Sequence, residues 1–131
     1  MTLVLDTSIL IDIERRKQST INILKELSQS HSDPAKITFI NQFEFLLGLK
    51  EKSPKNKNTA KIFLNEFLSL QTTQFTAEVI AELKQKYDSI GITIPLADLL
   101  IATITLENNC TLVTKDKDFE KIKELRKIII S

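Results

Sequence analysis

Three carboxylates of this chain stand inside its most apolar stretches. Asp6 interrupts Leu3-Val4-Leu5-Asp6-Thr7-Ser8-Ile9-Leu10-Ile11, Glu44 lies within Phe39-Ile40-Asn41-Gln42-Phe43-Glu44-Phe45-Leu46-Leu47, and Asp98 within Ile94-Pro95-Leu96-Ala97-Asp98-Leu99-Leu100-Ile101-Ala102. A fourth, Asp116, follows the apolar run Cys110-Thr111-Leu112-Val113. Asp and Glu are almost never fully buried without a partner or a cation. Two carboxylates about 4 Å apart repel by roughly 4 kcal/mol at an effective dielectric of 20, and a divalent cation reverses that sign. Oxygen donors with no His or Cys select a hard ion, Mg²⁺ or Mn²⁺. Mg²⁺ keeps several of its waters, so the site stays open to a phosphate and a nucleophilic water. The chemistry implied is metal-assisted phosphodiester hydrolysis. Thr7 and Ser8 flank Asp6, and Thr114 precedes Asp116 by two residues; such hydroxyls orient carboxylates or phosphates. Asp118 is a candidate fifth acid.

Composition narrows the alternatives. A chain of 131 residues with 42% hydrophobic content suits one compact domain over residues 1–131 and argues against disorder. Lys and Arg number 18 against 17 Asp and Glu, so an anionic substrate must be drawn by local features. Cys110 is the only cysteine and His31 the only histidine, which excludes a disulfide framework and argues against a zinc site. His31, in a polar turn, reads as a solvated residue and Cys110 as a small core residue. The start of the chain enters an apolar strand with no basic leader, so no signal peptide is expected. No run of 18 apolar residues occurs, so no transmembrane helix and no membrane association are expected, and the location expected is cytoplasmic.

The elements that must position the acids alternate in type. Short apolar runs predict strands at Thr2–Leu5, Lys36–Phe39, Gln71–Phe75, Thr111–Thr114 and Lys127–Ile130. Helices are expected from Thr7 or Ser8 as cap, and over Ser19–Ser30, Asn41–Lys52, Asn58–Ser69, Thr76–Ser89 and Pro95–Asn108. Ser30–Pro34 reads as a turn, Ser53-Pro54 as a break, Gly91 as a helix stop, and Asp116–Ile122 as a short helical turn. Inward positions include Ile62, Phe63, Phe67 and Leu68. Leu46 and Leu47 read as core, with an exposed patch for a second copy or a partner helix as the other reading. Alternating strands and helices give an α/β sandwich around a mainly parallel sheet of four to five strands. Sites in such sheets gather at the carboxyl ends of strands, where Asp6 and Asp116 fall.

These motifs carry a family resemblance. Leu5-Asp6-Thr7-Ser8 resembles the opening motif of PIN domains, as do Glu44 on an early apolar helix, Ala97-Asp98-Leu99-Leu100-Ile101-Ala102, and Leu112-Val113-Thr114-Lys115-Asp116-Lys117-Asp118-Phe119. Length, order and spacing resemble VapC-type ribonuclease toxins over essentially the whole chain. The resemblance implies a PIN-like α/β/α sandwich and a Mg²⁺- or Mn²⁺-dependent endoribonuclease acting on RNA. It implies Asp6, Glu44, Asp98 and Asp116 as the catalytic, metal-holding quartet, with Ser8 and Thr114 in support. A homodimer and a cognate VapB-type antitoxin are the implied partners. Relatives often carry Arg near the last motif, where this chain has Lys115 and Lys117.

Each acid also has an ordinary reading. Asp6 and Asp98 suit helix N-termini, Glu44 suits a solvated helix face, and Asp116 and Asp118 suit a turn. Lys50, Lys52, Lys55, Lys57 and Lys61 ordinarily form a solvated face, and would also attract RNA phosphates, as would Arg15, Arg16 and Lys17. The competing functional readings are a non-catalytic PIN-fold binding module and a receiver-type Mg²⁺-binding signalling domain.

Overall fold

The computed structural model describes residues 2–31 and 33–131. The expected turn at Ser30–Pro34 includes Ser32, which lies outside the described residues. Five strands and six helices follow one another along the described residues: β1 (Leu3–Leu5), α1 (Thr7–Glu14), α2 (Gln18–Ser28), β2 (Ile37–Thr38), α3 (Phe39–Leu47), α4 (Pro54–Leu64), β3 (Ser69–Leu70), α5 (Thr76–Ser89), α6 (Leu96–Glu107), β4 (Thr111–Thr114) and β5 (Lys127–Ile129). A 3₁₀ turn at Lys117–Lys121 follows β4.

Every strand pairing is parallel. β4 lies between β1 and β5, and β2 pairs with β3. A parallel bridge between Val4 and Lys36 joins the two sets, with Leu5 N donating to Lys36 O at 2.8 Å and Lys36 N to Leu3 O at 2.9 Å. The spatial order is therefore β3-β2-β1-β4-β5, the parallel α/β arrangement expected.

Side-chain alternation along the strands explains the layers. Val4 and Leu112 feed a core formed with Leu83, Tyr87, Leu99 and Ile104 of α5 and α6. Leu3, Leu5 and Val113 feed a second core with Ile9, Leu10, Phe45 and Leu64 of α1, α3 and α4. Helices thus cover both faces. Buried parallel strands read as continuous apolar runs for this reason, and β1 and β4 do.

Several boundaries differ from expectation. Thr38 caps α3 by accepting from Asn41 N at 3.2 Å, so the helix starts at Phe39 and β2 stops short. α3 ends at Leu47. Ser53-Pro54 opens α4 rather than only breaking a helix: Ser53 Oγ accepts from Asn56 N at 3.3 Å, and Pro54 takes a first-turn position where its missing N–H costs nothing. Ile62 faces outward on α4 and Leu68, past its end at Leu64, is outward too, 60% and 62% exposed, whereas Phe63 and Phe67 pack inward beside Phe45. Leu46 and Leu47 face outward as well. The third strand is Ser69–Leu70, because Thr73 N donates to Thr76 Oγ1 at 2.7 Å and commits Gln71–Phe75 to a loop. Gly91, at φ +78, follows α5 and supplies the left-handed turn that only glycine adopts cheaply.

Candidate metal centre

The carboxyl ends of β1 and β4 and the first turns of α3 and α6 meet at one edge of the sheet. Asp6 follows β1 and takes the cap position of α1 with φ −70 and ψ 161, where Thr7 or Ser8 was expected. Its carboxylate makes no cap hydrogen bond. Oδ1 instead accepts from Asn41 Nδ2 at 3.0 Å, and Oδ2 from Thr114 Oγ1 at 2.6 Å. Asp6 is 6% exposed, so the plain capping reading does not describe it. Thr114 Oγ1 also accepts from Asp116 N at 3.0 Å, linking Asp6 to the residue after β4.

Glu44 lies on α3 between outward Phe43 and inward Phe45, and is half-buried. Thr7 Oγ1 donates to Glu44 Oε1 at 2.6 Å and accepts from Asn41 Nδ2 at 3.1 Å. One Asn41 amide thus serves Asp6 and Thr7 together. Asp98 sits in the first turn of α6. Asp98, Asp116 and Asp118 each offer a carboxylate oxygen within 4.8 Å of the others. Asp116 Oδ1 accepts from Asp118 N at 2.9 Å, which folds the 3₁₀ turn so that both acids face Asp98. The fold brings both Asp116 and Asp118 to Asp98. Ser8 Oγ accepts from Lys115 N at 3.2 Å.

Electrostatics register the crowding. Burial and then the charges of Asp116, Asp6, Asp118 and Glu44 push the Asp98 carboxyl up to about 6. Burial also raises Asp6, opposed by hydrogen bonds from Thr114 and the Thr7 backbone and reinforced by Glu44 and Asp116. The charges raising Asp98 are all carboxylates. An all-oxygen set of acids that repel one another fits a hard divalent cation.

Asn41 was not legible as a site residue. The signal was present: an amide in Phe39-Ile40-Asn41-Gln42-Phe43 breaks the burial rule as the acids do, and it is 0% exposed. It also closes the cap of α3 by accepting from Thr38 N at 3.1 Å. Asn41→Ala should lower stability by about 2–4 kcal/mol, combining a lost cap with a buried carboxylate deprived of a donor. Urea unfolding of both proteins measures it, and a loss under 0.5 kcal/mol, the scale of ordinary surface changes, would show that the amide is dispensable. Asp12, Lys115, Thr20 and Lys17 form a second polar cluster that the sequence pattern does not reveal. His31 Nδ1 lies 2.9 Å from Leu27 O, and Cys110 is buried.

A cleft lined by Ile11, Arg15, Phe45, Gly48 and Lys52 adjoins Glu44. A receiver-type centre would want an acid pair after β1 and a lysine after the last strand. Here no acid adjoins Asp6 in the sequence, which runs Leu5-Asp6-Thr7, and Lys127 begins β5. No helix among the described residues is long and apolar enough to cross a membrane.

Residues 3–125 match the family model of the PIN domain. The chain is 32% identical over 136 residues to Ribonuclease VapC of Rickettsia bellii, covering 99% of this chain and 97% of that one. It is 29% identical over 131 residues to Ribonuclease VapC2 of Rickettsia felis, covering 95% of each. Its fold superposes with TM-score 0.85 on a crystal structure of VapBC2 from Rickettsia felis bound to a promoter DNA fragment, at 26% identity and full coverage of both chains. A DNA-bound VapBC structure from Salmonella typhimurium matches at TM-score 0.81 and 21% identity over 98% of each chain.

Proposed function

Because the chain belongs to the PIN-domain family, in its VapC branch, we propose that it is a divalent-metal-dependent endoribonuclease and the toxin of a VapBC-type toxin–antitoxin pair. The observation that supports this reading is the approach of Asp98, Asp116 and Asp118 to within 4.8 Å of one another, with Asp98 pushed up to about 6 by burial and by the charges of Asp116, Asp6, Asp118 and Glu44. Its 131 residues act as one catalytic domain.

Asp6, Asp98 and Asp116 would hold Mg²⁺ or Mn²⁺, with Glu44 completing the quartet and Asp118 adding charge at the exposed rim. A bound ion of this kind polarises a phosphoryl oxygen and lowers the pKa of a coordinated water. The chain's own residues keep the carboxylates in register. Asn41 and Thr114 fix both oxygens of Asp6, and Thr7 fixes Glu44. Such orienting groups are typically worth 10–100-fold in metal affinity or activity. Arg15 and Lys52, in the cleft beside Glu44, supply positive charge to an RNA backbone, although Lys52 also pairs with Glu14 at 3.4 Å.

A VapB-type antitoxin is the proposed partner, supported by the VapBC relatives above. A homodimer is also proposed. Phe43 and Leu47, 58% and 60% exposed and one turn apart on α3, supply apolar surface for a partner helix or a second copy. The protein acts in the cytoplasm, where its RNA substrate resides.

Incubating the purified chain with total RNA in Mg²⁺, in Mn²⁺ and in EDTA, then mapping new RNA ends by sequencing, tests the activity. A restricted set of new ends is expected with either ion and none in EDTA. Equal cleavage in EDTA would contradict metal dependence, and no cleavage with either ion would favour a non-catalytic binding module.

A further inference from the structure

The cluster around Asp12 sits on the face of α1 that carries Ser8, and the proposed reaction gives it no role. Asp12 is 9% exposed. Its Oδ2 accepts from Thr20 Oγ1 at 2.6 Å and from Lys115 Nζ at 3.0 Å, with Lys17 Nζ at 4.0 Å. Against the penalty of burial, Thr20 and Lys115 hold the Asp12 carboxyl below its ordinary range. The same Lys115 donates its backbone N–H to Ser8 Oγ at 3.2 Å. Ser8 and Asp12 are four residues apart on α1, hence on one face a turn apart. Residue 115 therefore spans a turn of α1, backbone at one end and ammonium at the other.

Its neighbours both serve the acid cluster. Thr114 donates to Asp6, and Asp116 lies within ligand reach of Asp98 and Asp118. The charges of Asp116, Asp118, Asp6 and Glu44 act on Asp98 together, so like-charge repulsion opposes the approach of the segment bearing Asp116 and Asp118 to Asp6 and Asp98. The link from Lys115 to Asp12 counters that repulsion. It is also better shielded than a surface ion pair, with side-chain exposures of 26% and 12%.

We infer that Lys115, held by Asp12, is a positioning residue that sets the Asp116–Asp118 segment against Asp6 for metal binding. This rests on the metal-centre reading above. The sign of the effect separates positioning from bare electrostatics. Removing a cation near an acidic site should tighten divalent-ion binding by charge alone, whereas loss of positioning weakens it.

Calorimetric titration of the full chain with Mn²⁺ at pH 7.5 is the test, with circular dichroism and thermal melts of each variant. Lys115→Met is expected to weaken Mn²⁺ about 10–100-fold with unchanged secondary structure at the titration temperature. Lys115→Arg is expected to retain wild-type affinity, since it keeps a charged donor to Asp12. Lys115→Gln, which also removes the cation but keeps a side-chain donor, is expected to weaken Mn²⁺ likewise and serves where Lys115→Met does not fold. A lowered melting temperature with unchanged or tighter Mn²⁺ affinity would reduce the pair to a structural brace and overturn the inference. Absence of Mn²⁺ binding by the unaltered chain would overturn the metal-centre reading and this inference together.

Discussion

Asp98→Asn will abolish metal-dependent RNA cleavage and raise the melting temperature of the metal-free chain. Both effects come from one charge. Asp98 faces Asp116, Asp6, Asp118 and Glu44, and its carboxyl is pushed up to about 6 by burial and by those acids. At pH 7.5 it is ionised at a cost to the fold, and the amide of Asn removes that cost while keeping the size and one oxygen. A gain of a few degrees is the scale expected from relieving about 1 kcal/mol in a domain of this size. The catalytic loss should exceed the 10–100-fold typical of groups that merely orient a ligand, because the substitution removes a ligand's charge. Asp6→Asn should be equally inactive, with Asn41 and Thr114 facing a side chain that matches them less well. Cleavage assays and thermal melts in EDTA check the pair of effects. Full activity in either variant would remove that residue from the catalytic set.

Divalent metal and pH should act on stability with opposite signs. Asp98 holds its proton in the folded chain up to about pH 6, against 3.8 for an ordinary aspartate. Between those values the folded state binds more protons than the unfolded one. Metal-free stability therefore falls as pH rises through that window, and the stability Asp98 contributes is fully present only below it. Burial shifts Asp6 in the same direction. Asp12 and Glu124 are held below their ordinary values, against burial, by Thr20 and Lys115 and by Lys86 and Tyr87 respectively. Their contributions are lost only on further acidification. Mn²⁺ requires ionised ligands, so its stabilisation grows as pH rises through 6. At a hundredfold excess over its dissociation constant it should contribute about 2.7 kcal/mol, a shift on the order of 10 °C for this domain. Melts from pH 4.5 to 8 in EDTA and in Mn²⁺ should diverge above pH 6. Curves that stay parallel across the range would show that protons and metal do not compete for one site.

Much of this architecture is legible in the amino-acid sequence. The acids in apolar runs announce themselves because burial of an unpaired carboxylate is expensive; the fold sets Asp98, Asp116 and Asp118 within 4.8 Å of one another, with Asp6 and Glu44 close enough to act on Asp98 by charge. Continuous apolar runs mark β1 and β4, since parallel strands covered on both faces lack alternation. The weaker readings share a cause. The expected third strand at Gln71–Phe75 and the inward Ile62 and Leu68 rest on local apolar pattern alone. Capping by Ser53 starts α4 early, α4 ends at Leu64 before Leu68, and the hydrogen bond from Thr73 N to Thr76 commits Gln71–Phe75 to a loop. Asn41 does not stand out as a site residue because an amide carries no charge to mark it, although its burial is complete. The Lys115–Asp12 pair spans 103 residues, a separation across which single-sequence patterns hold no information.

The most direct test of the central claim is the anomalous diffraction of Mn²⁺ in crystals soaked at neutral pH. An anomalous peak is expected among the carboxylates of Asp6, Asp98 and Asp116, lost in Asp98→Asn crystals. A map at millimolar Mn²⁺ with no peak there, or with its peak at other residues, would contradict that claim.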